Sequence, residues 1–363
     1  MEIKKNKKKK IGGPQNINID ELKGYKKLEK TYRAYMNVKT DYSQVLDDTN
    51  LKNESEILDL KGFKVYKLKT ISGVYIIKNF LSLEEQLEIA KSMLNEYIQS
   101  PYRTNLDNTV NIDESKIHVK DKNKYCFNNK IRWSNLGFQY DWTNRRYPDE
   151  KTSLPKNLIE ICEKTKKIFE DEIKEVKNFT PESIIMNYYG EKDFMGGHLD
   201  DGEKDQDSPI FSYQIGLKCV FLMGGLSKDD LPIPILFESG DLLVMSGFSR
   251  KCYHGVPRII ENSFDRTKFE DLLKNKSSMT INNKENENKE ESKESKEEIK
   301  EEIIEDIKED IKEDIKVGKE DEKICKESKE SKDDLFVNND VHALNYLETH
   351  RLNFNFRRVI GDY

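Results

Sequence analysis

The chain has 363 residues, room for one catalytic domain with extensions, since a domain takes roughly 100–200 residues. Hydrophobic residues make up 35% and charged ones 36%, which excludes one compact globule from end to end. The net charge of −6 hides a split: residues 284–334 hold 13 Lys against 22 Asp and Glu, leaving 49 basic and 46 acidic residues elsewhere, a mildly basic remainder compatible with a phosphate-bearing partner.

In chain order, residues 1–60 are a polar, Lys-rich extension, expected to be largely disordered. Lys4-Lys5-Asn6-Lys7-Lys8-Lys9-Lys10 reads equally as a nuclear localisation signal, a nucleic-acid contact or a solvated tail. Residues 18–60 suggest short helices or a loose lead-in, so compact structure is expected from about residue 61. Val65–Leu68 and Val74–Ile77 predict short strands. Ser82-Leu83-Glu84-Glu85 has the Ser-x-x-Glu form of a capping box and predicts a helix through about Tyr97, with Leu87, Ala90 and Met93 inward. A second helix is expected over roughly 154–175, and a polar, aromatic stretch joins the two, completing a 61–182 region.

From Ser183 the pattern changes to short apolar runs with Gly turns: 184–189, 211–217, 218–223, 235–238, 241–246, 252–254 and 352–359. Several short strands separated by turn residues predict a sandwich or jelly roll, split into 183–260 and 341–363. Residues 261–340 interrupt it as a charged, low-complexity insertion in which Ile303, Ile307, Ile311 and Ile315 recur every four residues. A four-residue repeat drifts around a helix, so disorder with transient helix is expected there. The fold class is thus mainly β with flanking helices (α+β). The five cysteines, odd in number and without CxxC or CxxH spacing, read as reduced thiols.

The chemistry is concentrated in His198-Leu199-Asp200 and His254. Two imidazoles and one carboxylate on one face of a metal leave open positions, which suits non-haem Fe(II) activating O₂. Residues i and i+2 of a strand face the same way, so His198 and Asp200 are expected to point at one ion. Arg351 and Arg357 offer planar guanidinium forks for a dicarboxylate. Alternation along that last strand places Arg351, Asn353, Asn355 and Arg357 on one face and Leu352, Phe354 and Phe356 on the other. The combination points to an Fe(II)/2-oxoglutarate dioxygenase.

Several blocks resemble the AlkB family of nucleic-acid dioxygenases, most of all its eukaryotic homologue-1 branch. They are Ile131–Trp142 (IRWSNLGFQYDW), Met186–Tyr189 (MNYY), Gly197–Asp200 (GHLD), Ile215-Gly216 and Phe221–Leu226 (FLMGGL). Ser239–Arg250 (SGDLLVMSGFSR), Tyr253–Arg258 (YHGVPR) and Arg351–Arg357 (RLNFNFR) complete the set, which spans roughly residues 70–260 and 341–360. The resemblance implies a double-stranded β-helix, with His198, Asp200 and His254 as iron ligands. It implies Arg351 on the distal carboxylate of 2-oxoglutarate beside the Tyr189 hydroxyl, and Asn187, Asn353 and Arg357 at the keto-acid end or next to it. Trp133, Tyr140 and Trp142 fall where the family builds a nucleotide-receiving lid, and Arg250 matches an arginine near the substrate entrance. One departure stands out: the bacterial protein has an acidic, base-contacting residue two positions after the metal-binding Asp, and here that position is Gly202.

The expected activity is Fe(II)- and 2-oxoglutarate-dependent demethylation or hydroxylation of modified bases in tRNA, other RNA or DNA. O₂ is co-substrate, and succinate, CO₂ and formaldehyde are released. Abasic-site cleavage through a lysine Schiff base and hydroxylation of protein side chains are the alternatives, and a non-catalytic binding protein comes last. No apolar run approaches the roughly 18–20 residues of a membrane span. An intracellular protein of nucleus or cytoplasm is expected, with mitochondrion open, and nothing demands more than a monomer.

Overall fold

A computed structural model describes residues 19–33, 40–106, 118–121, 124–127, 130–141, 144, 146–274 and 334–361. The Lys4–Lys10 block, the four-residue Ile repeat and Trp142 lie outside the described residues. The early strands are β1 (Ser55–Leu60), β2 (Phe63–Leu68), β3 (Val74–Ile77), β4 (Arg103–Thr104), β5 (His118–Asp121), β6 (Lys124–Phe127) and β7 (Trp133–Gly137). Then come β8 (Ser183–Gly190), β9 (Met195–His198), β10 (Ile210–Gly216), β11 (Cys219–Met223), β12 (Ile233–Phe237), β13 (Leu242–Met245), β14 (His254–Ile259) and β15 (His350–Arg357). Helices are α1 (Gly24–Tyr32), α2 (Leu83–Asn95), α3 (Lys156–Phe169), α4 (Gly247–Arg250), α5 (266–274) and α6 (Asp334–Leu347).

Nine strands form one antiparallel sheet in the order β1-β2-β3-β13-β10-β15-β8-β7-β4, and four form a second, β12-β11-β14-β9. Alternation decides what lies on each side. Phe211, Tyr213 and Ile215 of β10, Leu352, Phe354 and Phe356 of β15, and Ile184, Met186 and Tyr188 of β8 share one core with α2, α3 and α6. Tyr213 stacks on Phe354 at 4.7 Å and meets Phe356 edge-on at 5.5 Å, pairs worth about 0.5–1.5 kcal/mol each beyond their buried area. The opposite face meets the small sheet through Tyr189, Ile210, Leu243, Phe221, Met223, Ile235 and Val256, which form the layer between the sheets. That is the double-stranded β-helix, or jelly roll. Its inner face carries the polar residues of β8, β10 and β15.

The capping box forms as expected. Ser82 Oγ accepts the Glu85 N–H at 3.1 Å, and the Glu85 carboxylate accepts the Ser82 N–H at 2.8 Å. No helix among the described residues is long and apolar enough to cross a membrane.

Three expectations change. Ordered structure begins well before residue 61: α1 and β1 precede it, and Tyr25, Leu28 and Tyr32 are buried. Their i, i+3, i+7 spacing is a helix stripe that the polar residues between them conceal. The 261–340 interruption begins in ordered structure, where α5 buries Phe269 in the outer core, and at its other end α6 starts at Asp334, ahead of the expected boundary. The strand expected at 252–254 starts at His254 and runs on to Ile259.

Candidate metal and co-substrate site

His198 ends β9 and His254 opens β14, and the two residues face each other across the antiparallel pair. Their rings are 4.4 Å apart. His254 Nε2 lies 3.4 Å from Asp200 Oδ2, and His198 Nε2 lies 3.6 Å from Asp200 Oδ1. One ligand atom from each of the three residues falls within 4.8 Å of the others, close enough to share one ion. Each Nδ1 is beside a backbone carbonyl, Gly196 O at 3.0 Å and Cys252 O at 3.2 Å. Donation to those carbonyls leaves both Nε2 lone pairs for a metal. Burial, then the neighbouring His254, pushes His198 down to about 4, so its imidazole is neutral at physiological pH.

Strand alternation does not deliver Asp200, because β9 has ended two residues earlier. Two arginines deliver it. Arg357 Nη2 donates to Asp200 Oδ2 at 2.8 Å, and Arg250 Nη1 donates to the Asp200 carbonyl at 2.6 Å. Burial alone would raise the Asp200 carboxyl. Arg357 and the two imidazoles outweigh it and hold the group well below the ordinary carboxylate range.

Behind these groups sits Glu203, a residue the sequence reading passed over. It is 5% exposed and takes a hydrogen bond from Arg357 Nη1 at 2.8 Å, from Arg250 Nη2 at 3.0 Å and from the Tyr147 hydroxyl at 2.8 Å. Arg250 therefore does not stand at a substrate entrance. It is 2% exposed, and the Glu203 carboxylate and the carbonyls of Asp200 and Ser208 take its donors.

A second polar patch lines the inner face of β8, β10 and β15. Arg351 is 1% exposed, lies 4.9 Å over the Tyr189 ring and donates through Nη2 to Gln214. Its Nε and Nη1 have no hydrogen-bond partner among the described residues, and neither does Arg357 Nε. A buried guanidinium with unmet donors is costly unless an acceptor completes it, and a carboxylate supplies acceptors of the right charge. Asn353, by contrast, is fully occupied. Its Nδ2 donates to Ser212 Oγ and the Tyr213 carbonyl, and its Oδ1 accepts from Asn187 and Asn355. Asn187 and Asn353 thus form a cross-strand ladder beside Arg351. Gln214 and Ser212, also missed, belong to it; the signal was their even spacing along β10 between apolar neighbours.

The model of the 2OG-Fe(II) oxygenase superfamily matches residues 73–357. The chain belongs to that superfamily. Within it the chain is similar to "DNA N(6)-methyladenine demethylase ALKBH1A" of Arabidopsis thaliana, 32% identical over 72% of this chain and 92% of the relative. It is equally similar to "tRNA demethylase abh1" of Schizosaccharomyces pombe, 32% identical over 68% of this chain and 88% of the relative. "Nucleic acid dioxygenase ALKBH1" of Homo sapiens matches at 32% over 55% of this chain and 54% of that protein. These place the oxygenase in the AlkB-like ALKBH1 branch. Its metal is Fe(II), and its co-substrates are 2-oxoglutarate and O₂.

Trp133 begins β7 directly opposite Asn187 and is half-buried. The half-buried Tyr140 ring is 4.8 Å from Tyr147 and rests on Gly202, where a Cβ would come within 2.6 Å of it. Gly202, lacking a side chain, leaves the space that Tyr140 occupies. Trp133 and Tyr140 flank the inner face.

Proposed function

We propose that His198, Asp200 and His254 hold the Fe(II), that Arg351 and Tyr189 bind the distal carboxylate of 2-oxoglutarate, and that the enzyme demethylates modified nucleic-acid bases, tRNA first and DNA second. The observation that carries this reading is the pairing of a three-residue ligand cluster with a buried arginine whose Nε and Nη1 lack partners, on facing sheets of one jelly roll. The named relatives act on methylated tRNA and DNA adenine, which supports the substrate class.

The bound metal supplies the coupling of 2-oxoglutarate decarboxylation to hydroxylation of a C–H bond. The balance for an N-methyl base is one O₂ and one 2-oxoglutarate consumed, with succinate, CO₂, formaldehyde and the free base released. The chain's own residues bind and orient. Arg351 fixes the co-substrate at its far end, and the Asn187–Asn353–Asn355 ladder keeps the floor beside it rigid. Arg357 and Arg250 hold Asp200 ionised and in place. Trp133 and Tyr140 offer aromatic faces against which an extruded base stacks, an interaction worth about 1–3 kcal/mol per base.

Mass spectrometry of nucleosides in methylated tRNA and DNA oligonucleotides tests this, with Fe(II), 2-oxoglutarate and either the wild type or Asp200→Ala. Loss of a methyl mark with the wild type alone is expected. Unchanged nucleosides together with succinate formed on a protein extract would move the activity to protein side chains.

A further inference from the structure

The helix α1 comes from the segment that reads as short helices or a loose lead-in, and it lies along the strand that carries His198. Tyr25, Glu29 and Arg33 are spaced four apart, so they share one side of the helix and of the residue that ends it. Tyr25 is 1% exposed and fills a recess made by three glycines. A Cβ on Gly197 would overlap its ring, one on Gly224 would lie 2.8 Å from it, and one on Gly255 would lie 2.9 Å from its hydroxyl. Gly197 immediately precedes His198, and Gly255 immediately follows His254. Glu29 Oε2 accepts the Gly197 N–H at 3.2 Å. Arg33 lies 3.4 Å over the ring of Phe194, the residue before β9. The helix start is anchored by the Tyr25 N–H on the Lys228 carbonyl at 2.9 Å.

The strand so gripped needs support. β9 has four residues, stands at the edge of its sheet, and meets β14 at two register points with an irregularity between them. An edge strand with one free side is where a ligand drifts most easily. The contacts of α1 supply that missing side, through a carboxylate on the edge N–H and a ring wedged between the two backbones next to the imidazoles.

We infer that α1 is a strap setting the separation of His198 and His254, with Tyr25, Glu29 and Arg33 as positioning residues for the metal centre. This rests on the proposed assignment of the two histidines as metal ligands. Groups that orient metal ligands from outside typically change metal affinity by about 10–100-fold when removed. The strap is therefore required for tight metal binding by an already folded chain.

The test uses the full chain and Mn(II) alone, with free Mn(II) counted by electron paramagnetic resonance and the metal-free unfolding temperature measured in parallel. Glu29→Leu, which removes the acceptor, and Gly197→Ala are expected to raise the Mn(II) dissociation constant by about 10-fold or more while the metal-free fold persists. Tyr25→Phe, which keeps the ring and loses one long hydrogen bond of 3.4 Å to the Leu222 carbonyl, is expected to bind nearly as the wild type does. If Gly197→Ala does not fold, Glu29→Leu decides alone. Folded Glu29→Leu binding Mn(II) within twofold of the wild type overturns the strap. A wild type that binds no Mn(II) overturns the metal-site assignment itself, which is a different result.

Discussion

Arg351 is buried with Nε and Nη1 unmet among the described residues, and the directions of those donors, beyond the charge, are what a carboxylate reads. Arg351→Lys keeps the charge and loses the planar pair of donors. A hydrogen bond to a charged group is worth about 1.5–3 kcal/mol, so 2-oxoglutarate is expected to bind roughly 10–100-fold more weakly, with Mn(II) affinity unchanged, in calorimetric titrations. Glu203 has the reverse character, because every side-chain contact it makes is internal. Glu203→Ala leaves Arg250 buried without a counter-charge and Arg357 with Asp200 alone, which costs about 3–5 kcal/mol and is read as a fall in the denaturant midpoint. The same ion pairs fix a pH dependence. Burial raises the Glu203 carboxyl, but Arg357 and Arg250 outweigh it, so its folded pKa lies below the ordinary 4.5. Its contribution to stability is then complete above pH 4.5 and is lost as the pH falls through the lowered value. A wild-type chain that keeps the same stability from pH 6 down to pH 3, relative to Glu203→Gln, would contradict this.

At the scale of elements, the loop that leaves β9 and the segment around Tyr140 are fitted to one another through Gly202. Gly202→Ala puts a methyl within 2.6 Å of the Tyr140 ring, and Tyr140, being half-buried, is the group that yields. Turnover of a methylated oligonucleotide is expected to fall about tenfold, equivalent to roughly 1.4 kcal/mol, while succinate formed without nucleic acid stays level. Equal losses in both assays would mean that Tyr140 belongs to the packing and not to substrate contact. The capping box is simpler. Ser82→Ala removes the acceptor for the Glu85 N–H and is expected to cost about 1 kcal/mol in thermal unfolding. Elements were legible in the sequence where a local pattern dominated: β3, β8 and β10 as short, largely apolar runs, β15 by its alternation, and α2 by its cap. The small clustered residues were not. Tyr25 has meaning only beside Gly197, Gly224 and Gly255, and Glu203 only beside Arg250 and Arg357. No local pattern announces partners brought together from 47 and 154 residues away.

For the whole molecule, the charge split made an acidic protein out of a mildly basic remainder. Removing residues 284–334 takes the formal charge from −6 to +3. Binding of a short RNA or DNA is expected to tighten at low salt and to converge with the intact chain at high salt, as fluorescence anisotropy would show. The order of strands has a further consequence, in time rather than in space. β15 sits between β8 and β10, yet Asn353 follows its partner Asn187 by 166 residues. At about 5–20 residues per second, a ribosome takes roughly 8–33 s to supply it. Once β10 has followed β8 out, the two strands present open edges on both sides of an unfilled slot, and neither arginine of the co-substrate patch yet exists. A nascent chain stalled anywhere before residue 350 is therefore inert towards 2-oxoglutarate and sticky towards other strands, and it depends on whatever shields nascent sheets until the last strand closes the gap.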